Sequence, residues 1–168
     1  MSEASLQQET FDAFYADALP LLRRHWREIA HYPDIALDPD VDRYHAIEDA
    51  GNLRVFTARV MGRLVGYALF FVHPNLHYRS SVQAVADVIY VDPDHRRSTI
   101  GLRLLAYTEA ALKAEGVQAV YHHVKANHAG LGKILERTGY DLIDLIYAKR
   151  LDAVAQTEPV RRMETEEV

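Results

Sequence analysis

The junction between a long strand and a helix near the middle of the chain constrains the fold most. Residues 82–91, VQAVADVIYV, form a β-branched apolar run that predicts a strand. After the residues DPDHRRST, helical spacing resumes, with Leu104, Leu105 and Leu112 on one face and Gly116 as the stop. A strand that passes directly into a crossover helix indicates an α/β domain on a mixed sheet.

The chain on both sides of this junction predicts the remaining elements. Before it we expect helices over residues 19–32 and 41–50, with Pro20 in the first turn of the former, and a hairpin that turns at Met61-Gly62. After it we expect a strand over 117–125, a short helix over 128–139 and a last strand over 140–151. The 168 residues suit a single domain, residues 1–152, and the charged tail 153–168 is expected to be disordered.

Composition excludes several classes of function. The chain has no cysteine, so disulfides, thiolate metal sites and a cysteine nucleophile are excluded. A net charge of −5 argues against nucleic-acid binding, and no apolar run is long enough for a membrane span. The first residues lack the features of a signal peptide, so we expect a cytoplasmic protein. We expect no metal site, because Pro74 prevents the helix that would align His73 with His77.

The residues after Val91 combine several features of an anion-binding site. They lie at a predicted helix N-terminus, where unpaired backbone N–H groups and the helix dipole favour phosphate. The potential contacts are two guanidinium groups, two hydroxyl groups and a glycine that permits close backbone approach: Arg96, Arg97, Ser98, Thr99 and Gly101. In the alternative interpretation, the arginines are merely solvated and Ser98 or Thr99 only caps the helix.

The stretch VDPDHRRSTIGLRLL resembles motif A of the GNAT superfamily, the Gcn5-related N-acetyltransferases. The family pattern V-x-P-x-x-[QR]-x-x-G-x-[GA]-x-x-L is met at Val91, Pro93, Arg96, Gly101 and Leu104. The predicted order of elements follows the family over about residues 15–151. The resemblance implies the GNAT fold, in which helices flank a mixed, mostly antiparallel sheet with splayed strands. Thr99 departs from the pattern, since the first glycine of the motif is usual there.

The resemblance also implies acetyl-CoA as co-substrate. The loop from Arg96 to Gly101 would hold its pyrophosphate, the strand that ends at Val91 would bind the pantetheine arm and thioester through its backbone, and Asn127 would lie near the pantetheine. The implied cofactor-binding residues are Ile89, Tyr90, Val91, Arg96, Arg97, Ser98, Thr99, Ile100, Gly101 and Asn127. The implied reaction is direct acetyl transfer to a primary amine of a small molecule or a protein.

Asp87 is the leading candidate for the general base. Strict alternation along residues 82–91 places Asp87 as the lone carboxylate on an apolar face with Val85, Ile89 and Val91. A buried carboxylate with a raised pKa suits proton abstraction, and many family members carry a glutamate at this position. The alternative is a salt bridge or a hydrogen bond to a backbone amide. His122 and His123 are rival catalytic candidates, of which alternation allows only one to face the cleft.

The general acid is the clearest departure from the family pattern. The family places a tyrosine four residues before the glycine that closes the last helix, and here that position is Leu135. Candidate substitutes for this general acid are Tyr90, Tyr121 and Tyr147. Alternatively, the thiolate leaves without an acid, which is chemically possible because thiols have pKa values of about 8.5. A non-catalytic or weakly active acyl-CoA-binding regulatory module is therefore the alternative function.

Two loops are expected to line the acceptor side, residues 30–40 and 73–80. Aromatic residues and the carboxylates of Asp34, Asp38 and Asp40 suit an amine-bearing partner. For self-association a homodimer is the first expectation, because dimers are the commonest oligomers.

Overall fold

The computed structural model describes residues 3–152, apart from the side chains of Asn127 and Ala129. Backbone contacts divide the chain into two compact units, residues 1–132 and residues 133–168. The tail predicted over residues 153–168 lies outside the described part. Among the described residues, no helix combines the length and the apolar character that crossing a membrane requires.

The first unit is built on a five-stranded sheet. Its strands are β1 (Ser5–Glu9), β2 (Leu53–Val60), β3 (Arg63–Pro74), β4 (Val82–Val91) and β5 (Ala119–His122), and they lie side by side in chain order. The β1–β2, β2–β3 and β3–β4 pairs are antiparallel, and β4 and β5 are parallel. The mixed, mostly antiparallel sheet is therefore confirmed. The β2–β3 turn falls at Met61-Gly62 as predicted, with positive φ angles of 51° and 80°.

Residues 3–152 contain four α-helices: α1 (Phe11–Ile29), α2 (Val41–Asp49), α3 (Ile100–Ala114) and α4 (Ala129–Arg137). The prediction that the first helix begins at residue 19 is wrong. Thr10 caps an earlier start, because its side chain accepts a hydrogen bond from the Ala13 amide, and Pro20 lies inside the helix. Strand β1 was not predicted from the sequence.

Among the described residues, three apolar clusters pack against the sheet, and the two larger ones lie on opposite faces. On the first face, α1 and α2 pack on Tyr67 and Tyr90. On the second, α3 contributes Leu104 and Leu112 and packs on Phe70. Each face of the sheet is thus covered by helices, and β4 contributes residues to both cores.

A β-bulge interrupts β4 at Asp87. Val88 pairs with Leu69 and Ala86 pairs with Phe70, so Asp87 has no partner on β3. The extra residue shifts the alternation beyond it, as bulges do. Val88 now packs with the α1 core and Ile89 with the α3 core. The prediction that Asp87 shares an apolar face with Ile89 and Val91 is therefore wrong.

The predicted last strand is also wrong, because residues 140–150 have no regular secondary structure. Most of the large apolar side chains of this segment are strongly exposed: Leu142, Ile143, Leu145, Ile146, Tyr147 and Leu151. A strand needs ladder hydrogen bonds to a neighbour, and no pairing of this segment with another described strand is present. Apolar composition alone predicted more order than the segment has.

Candidate active site

A short turn joins β4 to α3. Residues Pro93–His95 form one turn of 3-10 helix, capped by Asp92, whose Oδ1 accepts a hydrogen bond from the Asp94 amide at 3.1 Å. Asp92 is buried, and Arg24 of α1 neutralises it through Nη1, at 2.9 Å from Oδ1 and 3.1 Å from Oδ2. Helix α1 thereby anchors the start of the loop.

Arg96 forms a second link to α1. Its Nη1 and Nη2 donate to Glu28 Oε1 and Oε2 at 2.6 and 2.7 Å, and its Nε donates to the Val91 carbonyl at 2.8 Å. The bidentate bond to Arg96 holds the pKa of Glu28 below its usual value. Arg24 and Glu28 are one helical turn apart and bind residues at either end of the 3-10 turn. The one mark of these two links in the sequence is the four-residue spacing of Arg24 and Glu28, which places both side chains on one face of α1. That spacing did not enter the sequence predictions.

The N-terminus of α3 keeps backbone donors available. Ser98 Oγ donates to the His95 carbonyl at 2.6 Å and accepts from the Ile100 amide at 3.2 Å, so this hydroxyl does cap the helix. The Thr99 side chain makes no capping bond. Among the described residues, the N–H groups of Gly101 and Leu102 have no acceptor. Arg97 is exposed and forms no ion pair with any described residue.

Gly101 has space above its backbone. A Cβ built there would meet only Val91 Cγ2, at 3.7 Å, which is an ordinary van der Waals contact, and its φ angle is not positive. Neither packing nor backbone conformation within the described chain requires glycine at this position. A group that approaches the two free amides closely from outside the chain would require it.

The edge of β4 opens beyond the middle of the strand. Pairing with β5 covers only Gln83–Ala86, whereas pairing with β3 continues to Val91. From Asp87 onward, the outer backbone edge of β4 therefore faces no described strand. The residues predicted to bind pantetheine, Ile89, Tyr90 and Val91, lie on this open edge. The Val91 carbonyl, however, is already occupied by Arg96.

A buried polar layer supports this edge from the α1 side. The Tyr90 ring stacks on His25 at 4.4 Å between centroids, and His25 Nδ1 is 3.0 Å from the Tyr67 hydroxyl. Burial lowers the pKa of His25 to about 4, so the ring is neutral at pH 7. Arg96 lies 5.1 Å above the Tyr90 ring, a cation–π distance. The Tyr90 side chain is thus a packing element, and only its backbone faces the open edge.

Asp87 is exposed rather than buried as predicted. The bulge aims its side chain at α2, where Tyr44 Oη donates to Asp87 Oδ2 at 2.5 Å. No salt bridge to a described residue involves Asp87. Tyr44, not an arginine or a backbone amide, is therefore its partner.

Each of the other catalytic candidates has its own surroundings. His122 packs edge-on against Phe70 at 5.5 Å between centroids, in the core under α3, and burial lowers its pKa to about 4. His123 is exposed and follows the end of β5. Tyr147 belongs to the second unit and is 90% exposed. Leu135 is buried. The side chain of Asn127 is not described.

Residues 12–140 match the acetyltransferase (GNAT) family. This match covers more than half of the chain, and the open β4 edge and the loop of motif A lie inside it. The chain therefore belongs to the GNAT family. No curated protein matches the sequence significantly.

Solved structures confirm the fold. A ribosomal-protein-alanine N-acetyltransferase from Brucella melitensis biovar Abortus 2308 is 18% identical, with 89% of this chain and 99% of that chain covered and a TM-score of 0.68. The aminoglycoside N-acetyltransferase AAC(6')-Iy in complex with CoA is 17% identical, with 91% and 97% covered and a TM-score of 0.69. A predicted acetyltransferase from Clostridium acetobutylicum with acetyl-CoA is 12% identical, with 88% and 96% covered and a TM-score of 0.64. The CoA bound in the second of these neighbours and the acetyl-CoA bound in the third are consistent with acetyl-CoA as the co-substrate here.

Proposed function

We propose that the protein transfers the acetyl group of acetyl-CoA directly to a primary amine. The observation that carries this proposal is the open β4 edge, whose last residue, Val91, lies beside Gly101 and its free amide at the start of α3. An extended acyl-pantetheine arm fits an unpaired strand edge, because both partners expose peptide-like donors and acceptors. Its pyrophosphate fits the N-terminus of α3, where the helix dipole and Arg97 favour negative charge.

Arg96 has a different role in this proposal from the one the sequence suggested. Two of its N–H groups bind Glu28 and a third binds the Val91 carbonyl. The guanidinium therefore braces the loop, and its positive charge is largely balanced by Glu28. Arg97 is the guanidinium left to attract the phosphates.

Asp87 is the proposed general base. The amine nitrogen attacks the thioester carbonyl carbon, a C–N bond forms, and the C–S bond breaks to release CoA thiolate. The proton lost by the attacking nitrogen passes to the Asp87 carboxylate, directly or through one water. Asp87 lies at the start of the open edge, next to the backbone proposed to hold the thioester. In the absence of a tyrosine at position 135, the thiolate takes its proton from solvent.

The acceptor is proposed to enter on the α2 side. A cleft of about 570 Å³ lies there, lined in part by Asp40, Tyr44, Phe71 and His73. Its carboxylate and aromatic rings suit an alkylammonium group before deprotonation. Amines of small molecules and of proteins both fit this chemistry, and the neighbours named above include one acetyltransferase of each kind. The single domain over residues 1–152, the cytoplasmic location and the homodimer remain predictions from the sequence.

One observation favours a second function, an acyl-CoA-binding module with weak or no turnover. Leu135 occupies the family's tyrosine position and is buried, and Tyr147, a candidate substitute, is almost fully solvated. A protein of this kind would keep the cofactor path and lose the proton donor.

Thiol release from acetyl-CoA, measured with a panel of primary amines, distinguishes the two functions. We expect release to depend on the amine, and Asp87→Asn to lower kcat about 100-fold, a typical contribution of a general base, without a change in CoA affinity. The control Asp49→Asn makes the same charge change at the end of α2 and should leave kcat unaltered. CoA binding without thiol release on any amine would favour the binding module instead.

A further inference from the structure

The Asp87 carboxylate is hydrogen-bonded to a tyrosine from a different element of the fold. Tyr44 comes from α2, whereas Asp87 lies in the bulge of β4, and the bond between Tyr44 Oη and Asp87 Oδ2 links the helix to the strand. The bulge residue has no ladder partner on β3, and Tyr44 is the one described residue that forms a hydrogen bond with its carboxylate. A side-chain hydrogen bond is therefore the main restraint on the orientation of the carboxylate.

The Tyr44 ring is held by packing that does not involve its hydroxyl. It stacks on Phe11 with 4.7 Å between centroids and an interplanar angle of 11°, and its centroid lies 6.3 Å from that of Phe71. The ring belongs to the α1 core. The hydroxyl is thus presented from a rigid base, and its position does not depend on Asp87.

The hydroxyl acts as a donor at all relevant pH values. Burial, together with the bond to Asp87, raises the pKa of Tyr44 well above its usual value. A phenol that stays protonated leaves the carboxylate as acceptor, so Oδ2 is occupied. Asp87 Oδ1 forms no hydrogen bond with any described residue, and Asp87 is exposed. The arrangement fixes one oxygen and leaves the other for an incoming amine or water.

We propose that Tyr44 is a positioning residue: its hydroxyl orients the Asp87 carboxylate so that Oδ1 faces the acceptor. This inference rests on the proposed function, in which Asp87 is the base. Tyr44 also lines the cleft proposed for the acceptor, so its hydroxyl connects that cleft to the proposed base.

A double-mutant cycle tests the proposal. Tyr44→Phe keeps the stacked ring and removes only the donor, so kcat should fall about tenfold while the KM for acetyl-CoA stays constant. In an Asp87→Ala background, where no carboxylate remains to be oriented, Tyr44→Phe should change the residual kcat less than about twofold. A tenfold loss in both backgrounds, or no loss in either, would overturn the proposal.

Tyr15→Phe is the matched control. The Tyr15 ring stacks on the other side of the same aromatic group, 5.3 Å from Phe11, and its hydroxyl forms no bond with a described residue. This variant should keep wild-type kcat, and its thermal midpoint should change no more than that of Tyr44→Phe, which also loses the hydrogen bond to Asp87. Equal losses of kcat in the two variants would mean that the aromatic stack, and not the bond to Asp87, matters.

A second measurement does not depend on turnover. In crystal structures, Asp87 should occupy one rotamer with Oδ2 on Tyr44 in the wild type, and should leave that rotamer or populate several in Tyr44→Phe. An unchanged rotamer in the variant would overturn the positioning role. A wild type that transfers no acetyl group but shows this rotamer change would refute the proposed function while supporting the Tyr44–Asp87 coupling.

Discussion

Replacement of Gly101 by alanine should separate the stability of the fold from the binding of cofactor. The added methyl group would meet only Val91 Cγ2 at 3.7 Å, and the residue lies in the first turn of α3 with a backbone that alanine adopts readily. Replacement of a helical glycine by alanine stabilises the fold by about 0.5 to 1 kcal/mol, which raises Tm by about 1 to 4 °C for a chain of this size.

The same methyl group should weaken binding. It projects beside the free amides of Gly101 and Leu102, where the pyrophosphate must approach the backbone. Loss of one charge-assisted hydrogen bond costs about 1.5 kcal/mol or more, so the Kd for acetyl-CoA should rise at least about tenfold. Thermal melting and calorimetric titration of Gly101→Ala measure both effects, and Gly132→Ala in α4 is the control for helix propensity. A Gly101→Ala protein that binds acetyl-CoA as tightly as the wild type would refute the placement of the pyrophosphate at this helix N-terminus.

Three further predictions follow from the charged groups. Arg97→Gln should weaken CoA binding about fivefold at low salt, by roughly 1 kcal/mol, and the loss should shrink at 0.5 M salt in a calorimetric titration because exposed charges are screened. Arg24→Met leaves the buried carboxylate of Asp92 without its main partner and should lower the free energy of unfolding by about 3 kcal/mol in urea titrations; a loss below 1 kcal/mol would contradict the anchoring role. Burial raises the pKa of Glu9, but hydrogen bonds, above all from Arg59, outweigh this and bring it to about 2; this stabilisation is present above pH 4.5 and is lost as the pH falls toward 2. The free energy of unfolding of the wild type should therefore exceed that of Glu9→Gln by about 3 kcal/mol at pH 6 in urea titrations, and this difference should nearly disappear by pH 2. A difference that stays constant with pH would argue against the lowered pKa of Glu9.

The sequence predicted the centre of the fold well for a physical reason. Strand β4 has the bounds that were predicted, 82–91, because a continuous β-branched run between loop residues has few alternatives. Helix α3 and its stop at Gly116, where φ is +88°, follow equally from local rules. Local propensity and tertiary packing favour the same structure in this region, so the local sequence was sufficient to predict β4 and α3.

The errors occur where long-range contacts decide the structure. The bulge at Asp87 depends on the register between β3 and β4, which one strand alone does not encode, and it turned the expected buried base into an exposed one. Similarly, the role of Arg96 depends on Glu28, which is 68 residues away in the chain. The motif identified the loop, but only the fold shows which of its two arginines is free.

The partner of the base was beyond sequence reasoning for the same reason. Tyr44 and Asp87 are 43 residues apart, and the sequence around Tyr44 contains no motif that indicates a functional tyrosine. The spacing of the aromatic residues Phe11 and Tyr44 became informative only once α1 and α2 were seen to pack together.

Calorimetric titration of the full chain with acetyl-CoA tests the central claim most directly, with acetyl-pantetheine, which lacks the nucleotide and its pyrophosphate, titrated in parallel. We predict one site per chain with a Kd below about 100 μM for acetyl-CoA. Acetyl-pantetheine should bind at least about 100-fold more weakly, because a tenfold change in Kd corresponds to about 1.4 kcal/mol and the phosphate contacts are lost. Absence of binding at millimolar acetyl-CoA, or equal affinity for both ligands, would contradict an acetyl-CoA site that runs from the β4 edge to the N-terminus of α3.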